Sequence, residues 1–254
     1  MKGIEILEHN KKCWNHVAPE FYGIEALPEF GPYTVTEEEI GLFDKIENRR
    51  VLDIGCGSGH SLKYMADHQA QELWGVDLSS AQIETAKAVL KDKDARLFCA
   101  AMEDSIGLPS DYFDIIYSIY ALGWTTDLPK TLSAIYSYLK EGGSFIFSWE
   151  HPFYTNLLAE DGIVKMQGSY QEEEIYSYSS FKGGNLPVYL YKRKLSTYIN
   201  ELVQAGFTIE RLVEGETAAK YHNQQEGFSK RHYSLYKARM VPTTFIIKAR
   251  KPRK

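Results

Sequence analysis

Between Arg49 and Gly59 the chain reads Arg-Arg-Val-Leu-Asp-Ile-Gly-Cys-Gly-Ser-Gly, and no other stretch narrows the possible folds as much. Val51, Leu52 and Ile54 form a short apolar run bounded by glycines, the pattern of a strand buried on both faces of a parallel sheet. Gly55, Gly57 and Gly59 then alternate, and backbone without Cβ atoms can turn sharply and approach a ligand closely. From His60 to His68, Leu62, Met65 and Ala66 recur at helical spacing, so a helix follows the turn directly. Its free amide groups and the positive end of its dipole point back at the glycines, which makes the turn an anion site.

Two ligands suit such a turn, a dinucleotide or the carboxylate of S-adenosylmethionine (SAM). The dinucleotide fingerprint is G-x-G-x-x-G, whereas here an acid precedes evenly spaced glycines as Asp53-x-Gly55-x-Gly57-x-Gly59. A second apolar run, Leu73 to Val76, ends about twenty residues on at Asp77, where an acid can bind both ribose hydroxyls. These motifs resemble those of class I SAM-dependent methyltransferases, of the Rossmann-like methyltransferase-11/25 type, and Gly75-Val76-Asp77-Leu78-Ser79 is similar to that family's second-strand motif. The resemblance implies SAM as cofactor and S-adenosylhomocysteine (SAH) as product. It implies a cofactor site drawn from Asp53, Gly55, Cys56, Gly57, Gly59, His60, Asp77, Leu78, Met102, Glu103 and Ser118. It also implies an α/β fold, a doubly wound, seven-stranded, mostly parallel sheet of order 3-2-1-4-5-7-6 with the last strand antiparallel, helices on both faces and an inserted β-hairpin cap. In that family the loop matching Ala101-Met102-Glu103-Asp104 borders the adenine, although Ala101 stands where the familiar version has Asp. The glycine spacing disfavours an NAD(P) oxidoreductase.

Around this centre the remaining elements follow in order. Trp14, Ala18 and Tyr22 fit a family segment that folds over the cofactor, and equally an amphipathic helix docked for stability. Thr36 with Glu39 is a capping box that predicts a helix through Ile40, Leu42, Phe43 and Ile46. Ser79 with Gln82 makes another before Ala81, Ile83, Ala86 and Leu90, and Arg96 to Cys99 is a third strand. Phe113 to Ile119 reads as strand four, opening at Ser118 to Trp124 onto the site. Asp127 caps a helix of Leu128, Leu132, Ile135, Tyr136 and Leu139 that ends at Glu141-Gly142-Gly143, before strand five, Ser144 to Trp149. A helix from Lys194 to Ala205, a strand from Thr208 to Val213 and a final antiparallel strand from Val241 to Ala249 complete the core. The segment 215–240 is polar, with His222 and His232, and is expected to be a lid or connecting helix. One domain is predicted: an N-terminal lid (1–35), a SAM-binding core (36–150), an inserted cap (151–193) and the rest of the core (194–254).

The insertion after strand five is rich in tyrosine, and Ile175 to Ser179 alternates with a return strand, Pro187 to Lys192, across Gly183-Gly184. Such a hairpin can cap the active site or serve as a dimerisation arm, so a monomer or a homodimer through this insertion stays open. SAM chemistry needs mainly orientation and a dry site. His151, at the carboxyl end of strand five, is the first candidate for a general base, with His222, Tyr120 and Glu150 behind it, and a rigid His-Pro turn as the alternative. Trp14, Tyr22, Tyr120, Trp124 and Tyr154 are candidates for binding the substrate.

Composition limits the partners. The net charge of −5 and the absence of a basic cluster before the tail argue against a nucleic-acid substrate. Neither the Asn/Asp-Pro-Pro-Tyr/Phe motif of nucleic-acid amino-methyltransferases nor the Pro-Cys of cytosine C5 enzymes is present. A small-molecule acceptor, methylated on oxygen or nitrogen, is therefore expected, with tRNA- or rRNA-modifying and carboxyl-methylating enzymes, or a catalytically silent SAM-binding regulator, as alternatives. Cys13, Cys56 and Cys99 form no metal or disulfide spacing, so no metal is expected. No membrane span or signal peptide is readable, and a cytoplasmic protein is expected.

Overall fold

The computed structural model describes residues 3–21, 27–179, 181 and 186–253. Its centre is a sheet built outward from the strand that carries the glycine motif. Strands β1 (Arg50–Ile54), β2 (Glu72–Asp77), β3 (Ala95–Cys99), β4 (Phe113–Ile119) and β5 (Leu139–Glu150) are mutually parallel, in the order β3-β2-β1-β4-β5. Four short strands of the insertion come next in the chain: β6 (Leu157–Glu160), β7 (Ile163–Met166), β8 (Ile175–Tyr178) and β9 (Val188–Tyr191). Then β10 (Thr208–Val213) and β11 (Thr244–Arg250) extend the main sheet, with β11 antiparallel between β5 and β10. Seven strands in the order 3-2-1-4-5-11-10 are the predicted architecture.

Alternation along β1 divides the core. Leu52 and Ile54 face one apolar cluster with Ile116, Phe145 and Phe147, while Val51 faces the other with Tyr117 and Ile146. Helices α5 (Leu128–Tyr138) and α6 (Leu195–Gln204) cover the first through Leu132, Ile135, Tyr198 and Leu202; α3 (His60–Asp67) and α4 (Ser80–Val89) cover the second through Leu62, Met65 and Ile83. The predicted caps of α4 and α5 form: Ser79 Oγ accepts from the Gln82 amide at 3.2 Å, and Asp127 Oδ1 from the Lys130 amide at 3.0 Å. Helix α7 (Leu235–Ala238) is a single turn within the polar segment before β11.

Two helix predictions are corrected. The helix expected from Thr36 through Ile46 is one turn, α2 (Glu37–Ile40). Gly41 takes the left-handed conformation (φ 54°), and the buried Glu37 carboxylate accepts from the amides of Leu42 and Phe43 at 2.9 and 2.8 Å, so those groups bond to a side chain instead of a next turn. Helix α5 ends at Tyr138 because residues 139–143 already pair in the sheet, where the Gly142 amide donates to the Lys251 carbonyl and the Lys251 amide to the Gly143 carbonyl.

Helix α1 (Gly3–Val17) fastens the insertion to the sheet. The Asn10 side chain both donates to and accepts from the Tyr189 backbone at 2.8 and 2.9 Å, extending the edge of β9. Asn15 Oδ1 accepts from Ser79 Oγ and the Ala81 amide at the start of α4. Within the insertion the expected strand pair is present as β8–β9, its Gly183-Gly184 turn lying outside the described residues, and is preceded by a second pair, β6–β7, joined at Asp161-Gly162 (φ 54° and 78°), a hairpin signal that sequence reasoning missed. No helix among the described residues is long and apolar enough to cross a membrane.

Candidate active site

A cavity of about 720 Å³ opens at the carboxyl ends of β1, β2, β4 and β5, beneath α1 and the β8–β9 hairpin. Its floor is the glycine turn. Gly55 and Cys56 both donate their amides to the Val76 carbonyl, at 2.8 and 3.0 Å, which holds the turn against β2. Gly55 has φ 82°, and a Cβ there would lie 2.2 Å from the Ala121 Cβ; a Cβ on Gly57 would meet no atom within 4 Å and would enter the open cavity. Asp77 accepts from the Gly57 amide and the Ser79 amide, both at 2.8 Å, so one carboxylate ties the glycine turn to the end of β2. Burial lifts its pKa and these backbone bonds oppose the rise. Burial pushes the Asp53 carboxyl well above the usual range, with the Tyr117 hydroxyl opposing and the Asp77 charge reinforcing the shift. Burial, helped by Asp77 and Asp53, likewise pushes the Cys56 thiol up, which keeps it from acting as a nucleophile.

Beside the turn, Glu103 is 5% exposed and only half satisfied. Its Oε1 accepts from Thr126, from the amide at 3.0 Å and from Oγ1 at 2.7 Å, while Oε2 is buried with no hydrogen-bond partner among the described residues. A buried acceptor without a donor is costly, and it marks where a ligand N–H would fit.

The far end of the cavity is aromatic, lined by Trp14, Phe21, Tyr120, Trp124, Trp149 and Phe181 among others. Tyr120 follows β4 with φ 54°, a left-handed conformation costly for a bulky residue. Its backbone amide is held by the Ser148 carbonyl at 3.0 Å and its hydroxyl by Thr244 Oγ1 at 2.9 Å. Behind these rings lies Glu150, 8% exposed. Thr155 Oγ1 donates to its Oε1 at 2.6 Å, and His232 Nε2, at 2.7 Å, and the Tyr233 hydroxyl donate to Oε2. Burial alone would raise the Glu150 pKa, but the bonds and charge of His232, with Thr155 and Tyr233, outweigh it and hold the carboxyl below its ordinary range. An ionised carboxylate only accepts, so Nε2 of His232 carries a proton, and Nδ1 makes no hydrogen bond among the described residues.

The structure brings Trp14, Asp53, Gly55, Cys56, Gly57, His60, Asp77, Leu78, Met102, Glu103, Tyr120 and Trp124 together around this one cavity. Four other expected residues are placed behind its wall. Gly59 starts α3, where an added Cβ would lie 3.0 Å from the Ala86 Cβ, so it packs helix on helix. Ser118 is fully buried and donates to the Ile54 carbonyl at 2.7 Å, tying β4 to β1. Tyr154 is also fully buried and donates to the His232 carbonyl at 2.9 Å, a support for the site instead of a lining residue. His151 is corrected in the same way: its Nε2 bonds Glu214 at 2.7 Å, its Nδ1 accepts from the Phe153 amide at 3.2 Å, and its ring is not part of the cavity wall. With both nitrogens engaged, His151 is the hydrogen-bonded histidine of a rigid His-Pro turn. Tyr22 lies outside the described residues. Sequence reasoning missed His232 and Tyr233 as site residues, since they come from a polar segment without periodicity and meet Glu150 across more than eighty residues of chain. The only local signal is the Ser234 cap of α7 directly after them, whose Oγ accepts from the Lys237 amide.

Comparison with known proteins agrees with this geometry. A family model described as "Methyltransferase domain" matches residues 29–180. A protein of Haemophilus influenzae of uncharacterized function is 30% identical over 231 residues, 85% of this chain and 86% of its own. A phosphoethanolamine N-methyltransferase of Triticum aestivum is 31% identical over 119 residues, 46% of this chain and 24% of that enzyme, so the chain spans about a quarter of that relative. The crystal structure of a SAM-dependent methyltransferase from Mesorhizobium loti superposes with a TM-score of 0.71 at 27% identity, over 83% of this chain and 94% of that one.

Proposed function

The chain belongs to the class I SAM-dependent methyltransferases, and from that premise we propose that it methylates a small molecule held in the aromatic end of the cavity, with His232 as the general base. Two features of the site fit the cofactor: the unpartnered Oε2 of Glu103, which suits the exocyclic amine of adenine, and the Cβ-free space over Gly57, which suits a close approach of the amino-acid end. Asp77 keeps lone pairs for the ribose hydroxyls beyond its two backbone bonds. When bound, SAM supplies a sulfonium-activated methyl group; the side chains supply orientation, a dry chamber and a place for a proton.

The observation that carries this reading is the Glu150–His232 pair facing the same cavity as the glycine turn. Glu150 fixes the tautomer of His232, leaves Nδ1 as the basic nitrogen and stabilises the imidazolium formed when Nδ1 takes a proton. Tyr233 is held neutral by burial, by Tyr120 and by Glu150, so it donates to that carboxylate and does not compete for the proton. Rings and the small volume favour a small acceptor over a macromolecule.

The test is release of SAH from SAM in the presence of a panel of small amines, phenols and acids. His232→Ala is expected to lower turnover about 10²- to 10⁴-fold with SAH affinity unchanged, whereas His151→Ala keeps turnover. Wild-type turnover in His232→Ala would remove the base from this account.

A further inference from the structure

The aromatic end of the cavity has a charge character that narrows the acceptor. From Phe181 the rings run without a gap to Trp14 (centroids 5.2 Å apart), Trp124 (5.1 Å), Trp149 (6.1 Å), Tyr120 (5.6 Å) and Tyr233 (6.3 Å), which bonds Glu150. Aromatic faces are the negative side of a quadrupole and attract cations, indole most strongly. The described residues around the cavity include five carboxyl groups, of Glu29, Asp53, Asp77, Glu103 and Glu150, and no Lys or Arg. Glu29 is paired with Lys220 outside the wall, and Asp77 and Glu103 stand at the cofactor end. The ring ribbon therefore ends on one buried anion, Glu150, whose partners are two hydroxyls and an imidazole.

We propose that the acceptor is an organic amine, bound as its ammonium ion on an apolar body and carrying no phosphate or carboxylate; the inference rests on the methyl-transfer reading above. An anionic acceptor would meet ring faces and Glu150 with no Lys or Arg among the described residues of the cavity wall to neutralise it, so a phosphate such as that of phosphoethanolamine finds no partner among them. A neutral alcohol can donate a hydrogen bond to Glu150 but gains no charge attraction from it or from the rings, whereas an ammonium gains the hydrogen bond and both attractions. The ammonium must lose a proton before it is a nucleophile. One N–H bond breaks, the proton goes to Nδ1 of His232 and the electron pair stays on the amine nitrogen. His232, with its side chain 40% exposed, returns that proton to water.

Three probes of one shape test this by calorimetry: 2-phenylethylamine, 2-phenylethanol and 3-phenylpropionate, each titrated into wild-type protein already saturated with SAH. The expected order is amine at least about tenfold tighter than alcohol, about 1.4 kcal/mol, with the carboxylate weakest. In Glu150→Gln the amine-to-alcohol ratio collapses toward one while the affinities for SAH and for the alcohol stay as in wild type. An alcohol that binds as tightly as the amine, a carboxylate that binds best, or an amine that does not bind the SAH-loaded protein overturns the inference and leaves the methyl-transfer reading standing. SAH that fails to bind at all overturns both.

Discussion

Replacing Glu103 by Gln tests the adenine end of the site at a single atom. In the carboxylate, Oε1 takes both donors of Thr126 and Oε2 takes none from the described protein. A Gln side chain can keep its carbonyl oxygen on Thr126 and put an NH₂ where Oε2 was. The protein without cofactor then loses no hydrogen bond and sheds a buried charge, so its thermal midpoint is expected to hold or rise. With SAH the balance reverses, because the adenine amine meets a donor in place of a charged acceptor. Hydrogen bonds to charged groups are worth about 1.5–3 kcal/mol, which sets the loss of SAH affinity on the order of 10- to 150-fold. Calorimetry on both proteins measures it, and S-inosylhomocysteine supplies the cross-check. That analogue carries a carbonyl in place of the amine, so Glu103→Gln should bind it more tightly than wild type does. SAH affinity within twofold of wild type, or the same ranking of the two nucleosides in both proteins, would refute the assignment of Glu103 to adenine.

Other perturbations have definite signs. Gly55→Ala should lower the thermal midpoint and abolish SAH binding, because the new Cβ sits 2.2 Å from Ala121 at φ 82°; Ala121→Gly in the same chain should recover part of the midpoint. His151→Ala should cost about 0.5–1.5 kcal/mol of stability, read from denaturant unfolding, since a buried ring and its bonds to Glu214 and the Phe153 amide are lost while the half-exposed Glu214 is left to water. Asp53→Asn should raise stability at neutral pH: the folded carboxyl is shifted up, so ionising it opposes folding, and the advantage of Asn should vanish as pH falls below the unfolded value of about 3.9. Glu150 is shifted down, so its contribution is full above the unfolded value of about 4.3 and is lost as pH falls through the lower folded value; thermal midpoints measured across that acid range should drop less steeply in Glu150→Gln.

Local chemistry made much of this molecule readable in advance. The glycine turn, the acid at the end of β2 and the caps at Ser79 and Asp127 depend on residues within a few positions of one another, and the β8–β9 pair follows from the alternation of its two short strands. What failed were questions of direction and distance. Glu150 and His151 are neighbours at the end of β5, and adjacent residues of extended chain project to opposite sides. Glu150 faces the cavity and His151 turns to Glu214, just past β10, and nothing in their order says which. His232 acquires its place through bonds to Glu150 and Tyr154 made across the fold. The short α2 shows the same limit, since its apolar spacing continues past Gly41 while the Glu37 carboxylate takes the amides a longer helix would have used.

In the proposed function one cavity holds SAM by the glycine turn, Asp77 and Glu103, with its methyl directed to the Glu150–His232 end. A crystal structure of the protein with SAH tests it most directly. The adenine amine is expected within hydrogen-bond distance of Glu103 Oε2, the ribose hydroxyls on Asp77, the homocysteine carboxylate over Gly57 and the sulfur facing the ring ribbon. SAH bound outside the cavity, or reversed so that adenine lies among the rings, would contradict it.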